Sequence, residues 1–275
     1  MRLISLPGVS DEPDGRWVGM SLQRRFVCDL LHFAKKVPSV PTQRTMYLGD
    51  VLEARRRHTA RISWCAIFIK AYAIVSARRP ELRRSYMPLI WPHLYEHPVN
   101  VASFSVEREY RGEAGVFFGQ IRRPELLSLR ALDKIVRHHK VAPIEEISGF
   151  LRTLRLSRLP LPLRRVAWWL GLYADGAHRA HYFGTFGISV VASLGASALH
   201  VLSPVTTTLN YGTFRPDGSI DVRLTYDHRV LDGANVARTL VALEEVLHGC
   251  ILDELSTESA SLTESQLPHI AAPVS

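Results

Sequence analysis

The chain has 275 residues, 47% of them hydrophobic, and a formal net charge of +8 at pH 7. That length and apolar content can bury one large core, and three widely spaced cysteines, Cys28, Cys65 and Cys250, with no CxxC pair, exclude a disulfide framework and point to a reducing, cytoplasmic setting. The basic residues are scattered, without zinc-finger spacing or an aromatic RNA-binding signature, so nucleic acid is not an expected partner, and Met1 to Gly15 holds no apolar run of signal-peptide or membrane-span length.

In chain order, residues 1–20 read as a flexible arm rich in Pro, Gly and acids. Ser21 is placed to cap a helix whose apolar face is Leu22, Phe26, Leu30 and Phe33, ending near Val37-Pro38. A short strand over Gln43 to Leu48, an Asp50-capped helix through Arg57 and an apolar helix from Ser63 to Ala77 follow, and Pro80 closes that stretch. Val99 to Glu109 and Glu113 to Ile121 flank Tyr110-Arg111-Gly112 in the pattern of a hairpin. Helices are predicted over Glu125 to Lys140 and Pro143 to Leu154.

After a Pro- and Arg-rich stretch, Leu151 to Trp169, strands are predicted over Tyr182 to Val191, Val205 to Phe214 and Ser219 to Tyr226, the last two joined by Arg215-Pro216-Asp217-Gly218. In the last, Ile220, Val222, Leu224 and Tyr226 alternate with polar residues, so half of that strand faces a core. Val236, Leu240, Leu243 and Leu247 fall at helical spacing from Asp232 to a terminating Gly249. The pattern is that of an α+β fold, a mixed sheet flanked by helices, over residues 21–255, with a polar tail over 256–275.

The chemistry concentrates in Asp227-His228-Arg229-Val230-Leu231-Asp232-Gly233, where a strand gives way to a helix. Acyl transfer needs a base for the nucleophile's proton, and an imidazole with a pKa near ~6.5 suits that task at neutral pH. His228 is the candidate base. Asp232 is placed to cap the helix and hold a nearby Arg, and Gly233 to allow close backbone approach, with Asp227 and Arg229 in support.

This motif closely resembles the catalytic segment of the acyltransferase core of 2-oxo acid dehydrogenase complexes, a fold shared with chloramphenicol acetyltransferase. Gly184-Thr185-Phe186-Gly187-Ile188-Ser189 resembles the family's Gly-Thr-Phe-Thr-Ile-Ser strand, which makes Ser189 the matching oxyanion donor. Arg24 and Arg25 stand where the family's core opens with a basic residue, and in the chloramphenicol acetyltransferase relatives such an Arg pairs with the motif's Asp. The resemblance spans roughly residues 21–250. It implies a chloramphenicol acetyltransferase-like fold and a homotrimer, extendable to a cubic assembly, in which His228 of one subunit meets Ser189 of the next. It also implies an acyl-CoA substrate and a small-molecule acceptor or a separate lipoyl carrier protein. No lipoyl or subunit-binding segment is present and no covalent lipoyl group is expected. Residues Gly112 to Arg123 lack the family's Gly-Leu-x-Val-Pro-Val run. A non-catalytic trimeric scaffold with the same fold is the alternative.

Two further signals read otherwise. His93-Leu94-Tyr95-Glu96-His97 matches an inverted zinc-protease pattern, but Pro92 and Pro98 leave no room for the helix that pattern requires, so a structured loop without metal is expected. His138-His139 reads as an exposed helix end. The apolar, basic stretch 151–171 suits packing on a core or subunit better than a membrane surface, since Pro160 and Pro162 interrupt it.

Overall fold

The computed structural model of the chain describes residues 15–190 and 195–257. Residues 1–14 of the arm expected over 1–20, residues 258–275 of the tail expected over 256–275, and position 191 lie outside them. The Ser21 hydroxyl caps α1 (Leu22–Ala34) by accepting from the Arg24 N–H, and Phe26 and Phe33 are buried as their spacing requires. Strand β1 (Ser39–Tyr47) starts four residues before its predicted beginning and holds Pro41, which an edge strand tolerates because a missing N–H there breaks no central ladder. Helix α2 (Gly49–Arg57) has Leu48, not Asp50, at its N-cap; the Asp50 carboxylate instead accepts from the Val51 N–H at 2.8 Å and contacts His248 at 2.8 Å. The Ser63 side chain caps α3 (Trp64–Arg78) as predicted.

Where a loop was expected over 93–97, β2 (Arg84–Met87) and β3 (His93–Glu96) form a two-stranded antiparallel ribbon. The hairpin falls in its predicted place as β4 (Val101–Tyr110) and β5 (Glu113–Arg122), turning through Arg111 and Gly112, both at positive φ. The Ser128 side chain then caps α4 (Leu129–Val141), and α5 (Ser148–Arg158) follows. The largest departure is next: 159–183 form two helices, α6 (Leu161–Tyr173) and α7 (Gly176–Phe183), so Tyr182 and Phe183 are helical and β6 is only Phe186–Ile188. The two prolines open α6 rather than breaking it, because the first turn needs no N–H donors. Strands β7 (Thr207–Tyr211) and β8 (Ser219–Asp227) and helix α8 (Gly233–Val246) complete the order. Gly249 does not terminate α8: a π turn over Leu247–Ile251 absorbs its non-helical backbone and helix continues to residue 257.

The main sheet runs β1-β8-β7-β6-β4-β5, with β6 parallel to both neighbours and the other pairs antiparallel. Register sorts its side chains by alternation. One face carries Ile220, Val222, Leu224, Leu209, Phe186, Ile188, Ala102 and Phe104, all packed under α3 and α8 with Phe68, Tyr72, Leu240 and Leu243 in the main core. The other carries Ser103, Ser105, Gly187, Ser189, Thr208, Asn210, Arg223 and Thr225. Thus β8 is buried on both faces, not one: Arg223 and Thr225 are covered too, and Arg223 donates to the Ala198 carbonyl.

The basic stretch is explained by α1. Asp29 lies on the same helix face as Phe26 and Phe33 and is 1% exposed; Arg164 Nε stands 2.8 Å and Arg165 Nε 3.3 Å from its carboxylate. Trp168 packs between Phe26 and Phe33, with ring centroids 5.2 and 5.8 Å away. One face of the segment, with Leu154, Arg164 and Trp168, therefore packs inside the chain, while Leu161, Leu163, Val166 and Leu170 on α6 are exposed. No described helix is long and apolar enough to cross a membrane.

Candidate functional site

The motif corner is rigid for reasons visible in its own residues. Asp227 ends β8 with its N–H bonded to the Thr206 carbonyl at 2.8 Å and its carboxylate 1% exposed. That carboxylate accepts from the Arg229 backbone N–H at 3.0 Å, from Nε at 2.9 Å and from Nη2 at 2.7 Å, a paired fork that fixes the turn. The Arg229 guanidinium stacks 4.2 Å over the Tyr86 ring, and Leu231 anchors the turn in the core. Between these anchors the His228 N–H donates to the Pro38 carbonyl at 3.1 Å, and its side chain projects outward, 49% exposed.

Asp232 takes the N-cap position of α8 with extended backbone, yet its carboxylate neither caps the helix nor holds an arginine; it is 81% exposed and lies 3.9 Å from His228 Nδ1. The predicted cap is corrected to a carboxylate facing the imidazole, four residues away along the chain. Gly233 is not needed for close approach, since a Cβ there would meet Tyr226 Oη at 3.5 Å, an ordinary contact. Arg24 and Arg25 do not reach this corner. They open α1, which packs along β5 at the far edge of the sheet, and Arg25 Nε donates to the Met20 carbonyl at 3.2 Å.

Ser189 follows β6. Its N–H bonds the Leu209 carbonyl at 3.1 Å and its hydroxyl accepts from Ser105 at 3.3 Å. Tyr226, Thr207 and Phe186 share one row of the sheet. His228 lies two residues beyond that row at one end, and Ser189 three residues beyond it at the other. Five rows at ~3.3 Å, combined with two strand spacings of ~4.8 Å, put the two residues on the order of 19 Å apart. Within one chain they cannot share a substrate.

Ser189 opens instead into a cavity of about 1490 Å³ between the polar sheet face and α1, α5, α6 and α7. Ser103, Ser105 and Thr208 share its floor, which sequence reading missed; the alternation of Ser103 and Ser105 along β4 was the available signal. Cys65 also lines it, but desolvation pushes that thiol up to about 12, so it offers no thiolate nucleophile at neutral pH. The His93 and His97 rings have separate partners: His93 Nδ1 bonds the Trp91 carbonyl and His97 Nε2 the Ser85 hydroxyl. Among the described residues no three His, Cys, Asp or Glu are grouped to hold a metal ion. In the double His, His139 is turned inward against Phe104 and bonds the Ile135 carbonyl, whereas His138 is exposed.

No family model and no curated protein matches the chain. Solved structures do. The dihydrolipoamide acetyltransferase of Azotobacter vinelandii, described for a Ser, a His and an Asn in its catalytic mechanism, aligns over 92% of this chain and 100% of its own at 20% identity and a TM-score of 0.62. The cubic core of the pyruvate dehydrogenase multienzyme complex aligns over 92% and 100% at 19% identity, also at 0.62. Chloramphenicol acetyltransferase aligns over 83% and 96% at 13% identity and 0.51. The chain has the α+β fold of these acyltransferase cores.

Proposed function

We propose that copies of this chain assemble so that His228 of one and Ser189 of the next flank a shared site, which moves an acyl group between a CoA thioester and a thiol or hydroxyl acceptor. The observation that carries this reading is the placement of the two residues: a half-exposed imidazole on a firmly anchored turn at one end of the sheet, and a cavity-facing serine at the other. Neither meets, within its own chain, the group that the reaction pairs it with. The homotrimer implied by the resemblance provides that partner, and a larger cubic assembly is open to the same fold.

His228 takes the proton of the acceptor thiol or hydroxyl as that atom attacks the thioester carbonyl. Ser189 donates to the carbonyl oxygen as it gains charge, supported by the Ser105 hydroxyl behind it. When the carbonyl re-forms and the carbon–sulfur bond breaks, the imidazolium returns its proton to the departing CoA sulfur. The Asp232 carboxylate stands 3.9 Å from Nδ1, on the same turn, and is placed to orient the ring through these steps. Lys140 and Arg152 line the Ser189 cavity and would meet the phosphates of CoA, an acyl-carrying substrate here rather than a resident group.

The alternative, a scaffold that kept the fold and lost the reaction, would be favoured by a filled cavity or a buried imidazole; among the described residues the cavity is open and the imidazole is half-exposed. The test is mass spectrometry of the protein with a panel of acyl-CoAs and thiol or alcohol acceptors. Transfer is expected in the native chain and is expected to fall roughly 100- to 10,000-fold in His228→Ala, with an unchanged melting temperature. Turnover that survives the substitution refutes the assignment.

A further inference from the structure

We infer that the Ser189 cavity receives a long apolar chain, so that one substrate, donor or acceptor, carries a fatty acyl or alkyl group rather than a two-carbon unit. This rests on the transferase reading above and specifies its substrate class. The volume, about 1490 Å³, exceeds the ~300–1,000 Å³ that ordinarily encloses a drug-sized ligand, and it has to hold the part of CoA placed against Lys140 and Arg152 as well as the chain. Its two walls differ in chemistry. The floor is the polar sheet face, with Ser103, Ser105, Ser189 and Thr208; the roof is mostly apolar, with Phe26 and Leu30 from α1, Leu156 from α5, Trp168 from α6 and Phe183 from α7, beside Arg152 and His178. Helices α6 and α7 form a large part of that roof, and the Asp29 pairing with Arg164 and Arg165 holds α6 down on α1.

A second observation points to an occupant. The Thr208 hydroxyl lies on the cavity floor, the residue is 3% exposed, and its Oγ1 has no hydrogen-bond partner among the described residues. A buried polar group left unpaired is unfavourable, and an oxygen of a bound ligand would satisfy it. Gly187, one strand over, keeps the space before it clear: a Cβ at that position would come within 3.0 Å of Thr208 Oγ1. An apolar roof above hydroxyls suits a hydrocarbon chain whose polar reacting end, a thioester carbonyl or an acceptor thiol or hydroxyl, lies at Ser189.

The experiment compares two series in the native assembly. One varies the donor from acetyl- through hexanoyl- to dodecanoyl-CoA with a fixed thiol acceptor; the other holds acetyl-CoA fixed and varies alkanethiols over the same lengths. Each buried methylene is worth about fourfold, so kcat/KM is expected to rise at least ~100-fold along one series, and the series that rises identifies the substrate concerned. Ala167→Trp on α6 and Val27→Trp on α1, both facing the cavity, are expected to lower the long-to-short ratio at least ~10-fold. Direct binding of dodecanoyl-CoA and dodecanethiol to His228→Ala, read by tryptophan fluorescence, separates this inference from the transferase reading. Binding by the native chain without turnover would leave the cavity assignment standing and remove the transferase. Turnover of acetyl groups with both series flat, or no binding of either long-chain probe, would overturn the cavity assignment and point to filling by a neighbouring copy.

Discussion

The two faces of the six-stranded sheet are built from the same strands in the same register, yet they do opposite work. Under α3 and α8 the side chains are apolar and dry: Leu209, Val222, Leu224, Leu240 and Leu243 are each 0–1% exposed. On the reverse, alternation puts hydroxyls and amides on a floor only partly roofed by helices, leaving a cavity and, among the described residues, three buried polar atoms without partners, on Thr208, Asn210 and Thr225. Stability is concentrated on the first face, and the second is free to carry chemistry.

The sharpest way to break that contrast is on the closed face. Leu240→Ala removes a fully buried side chain and is expected to cost about 2–5 kcal/mol of stability. Turnover per folded molecule should not change; a matching loss of kcat would show that the faces are coupled. On the open face the expectation reverses. Ser189→Ala should lower kcat roughly 100- to 1,000-fold, the loss expected for one oxyanion donor, while thermal denaturation stays within about a degree or two of the parent. A drop in melting temperature instead would reassign Ser189 to structure.

A smaller effect lies at the margin between the faces. Burial, with the Arg179 and Arg83 guanidiniums nearby, pushes His97 from 6.5 down to about 4. The folded chain therefore keeps this ring neutral where the unfolded chain protonates it. The stability this confers is complete above about 6.5 and is lost as pH falls toward about 4, by up to ~3 kcal/mol. His97→Asn should flatten the denaturation midpoint across that window, and an unchanged slope would place the acid sensitivity elsewhere.

Legibility in the sequence follows the same division. The capped helices α1 and α3 and the β4–β5 hairpin were readable because their signals are local: Ser21 and Ser63 before apolar periodicity, and Arg111-Gly112 between alternating runs. Helices α6 and α7 were not, because the sense of 159–183 depends on Asp29, more than a hundred residues earlier. Only when that carboxylate is placed on α1 do Arg164 and Arg165 become partners rather than surface charge. The β2–β3 ribbon was hidden by its short strands and flanking prolines. At the motif, residue types and spacing placed His228 on the turn between β8 and α8, as the structure has it, but the Asp232 carboxylate does not cap the helix, since spacing cannot say which way a carboxylate faces. Nor could spacing show that His228 and Ser189 lie at opposite ends of the strands. That is a property of register, and register was set by long-range pairing.

The central claim, that the site is completed by two copies, is tested most directly by subunit complementation. Co-express His228→Ala with a differently tagged Ser189→Ala and purify the assemblies that carry both tags. Some contacts in those assemblies then join an intact imidazole to an intact serine, so turnover is expected to rise well above that of either variant alone. Mixed assemblies no more active than Ser189→Ala by itself would contradict a shared site.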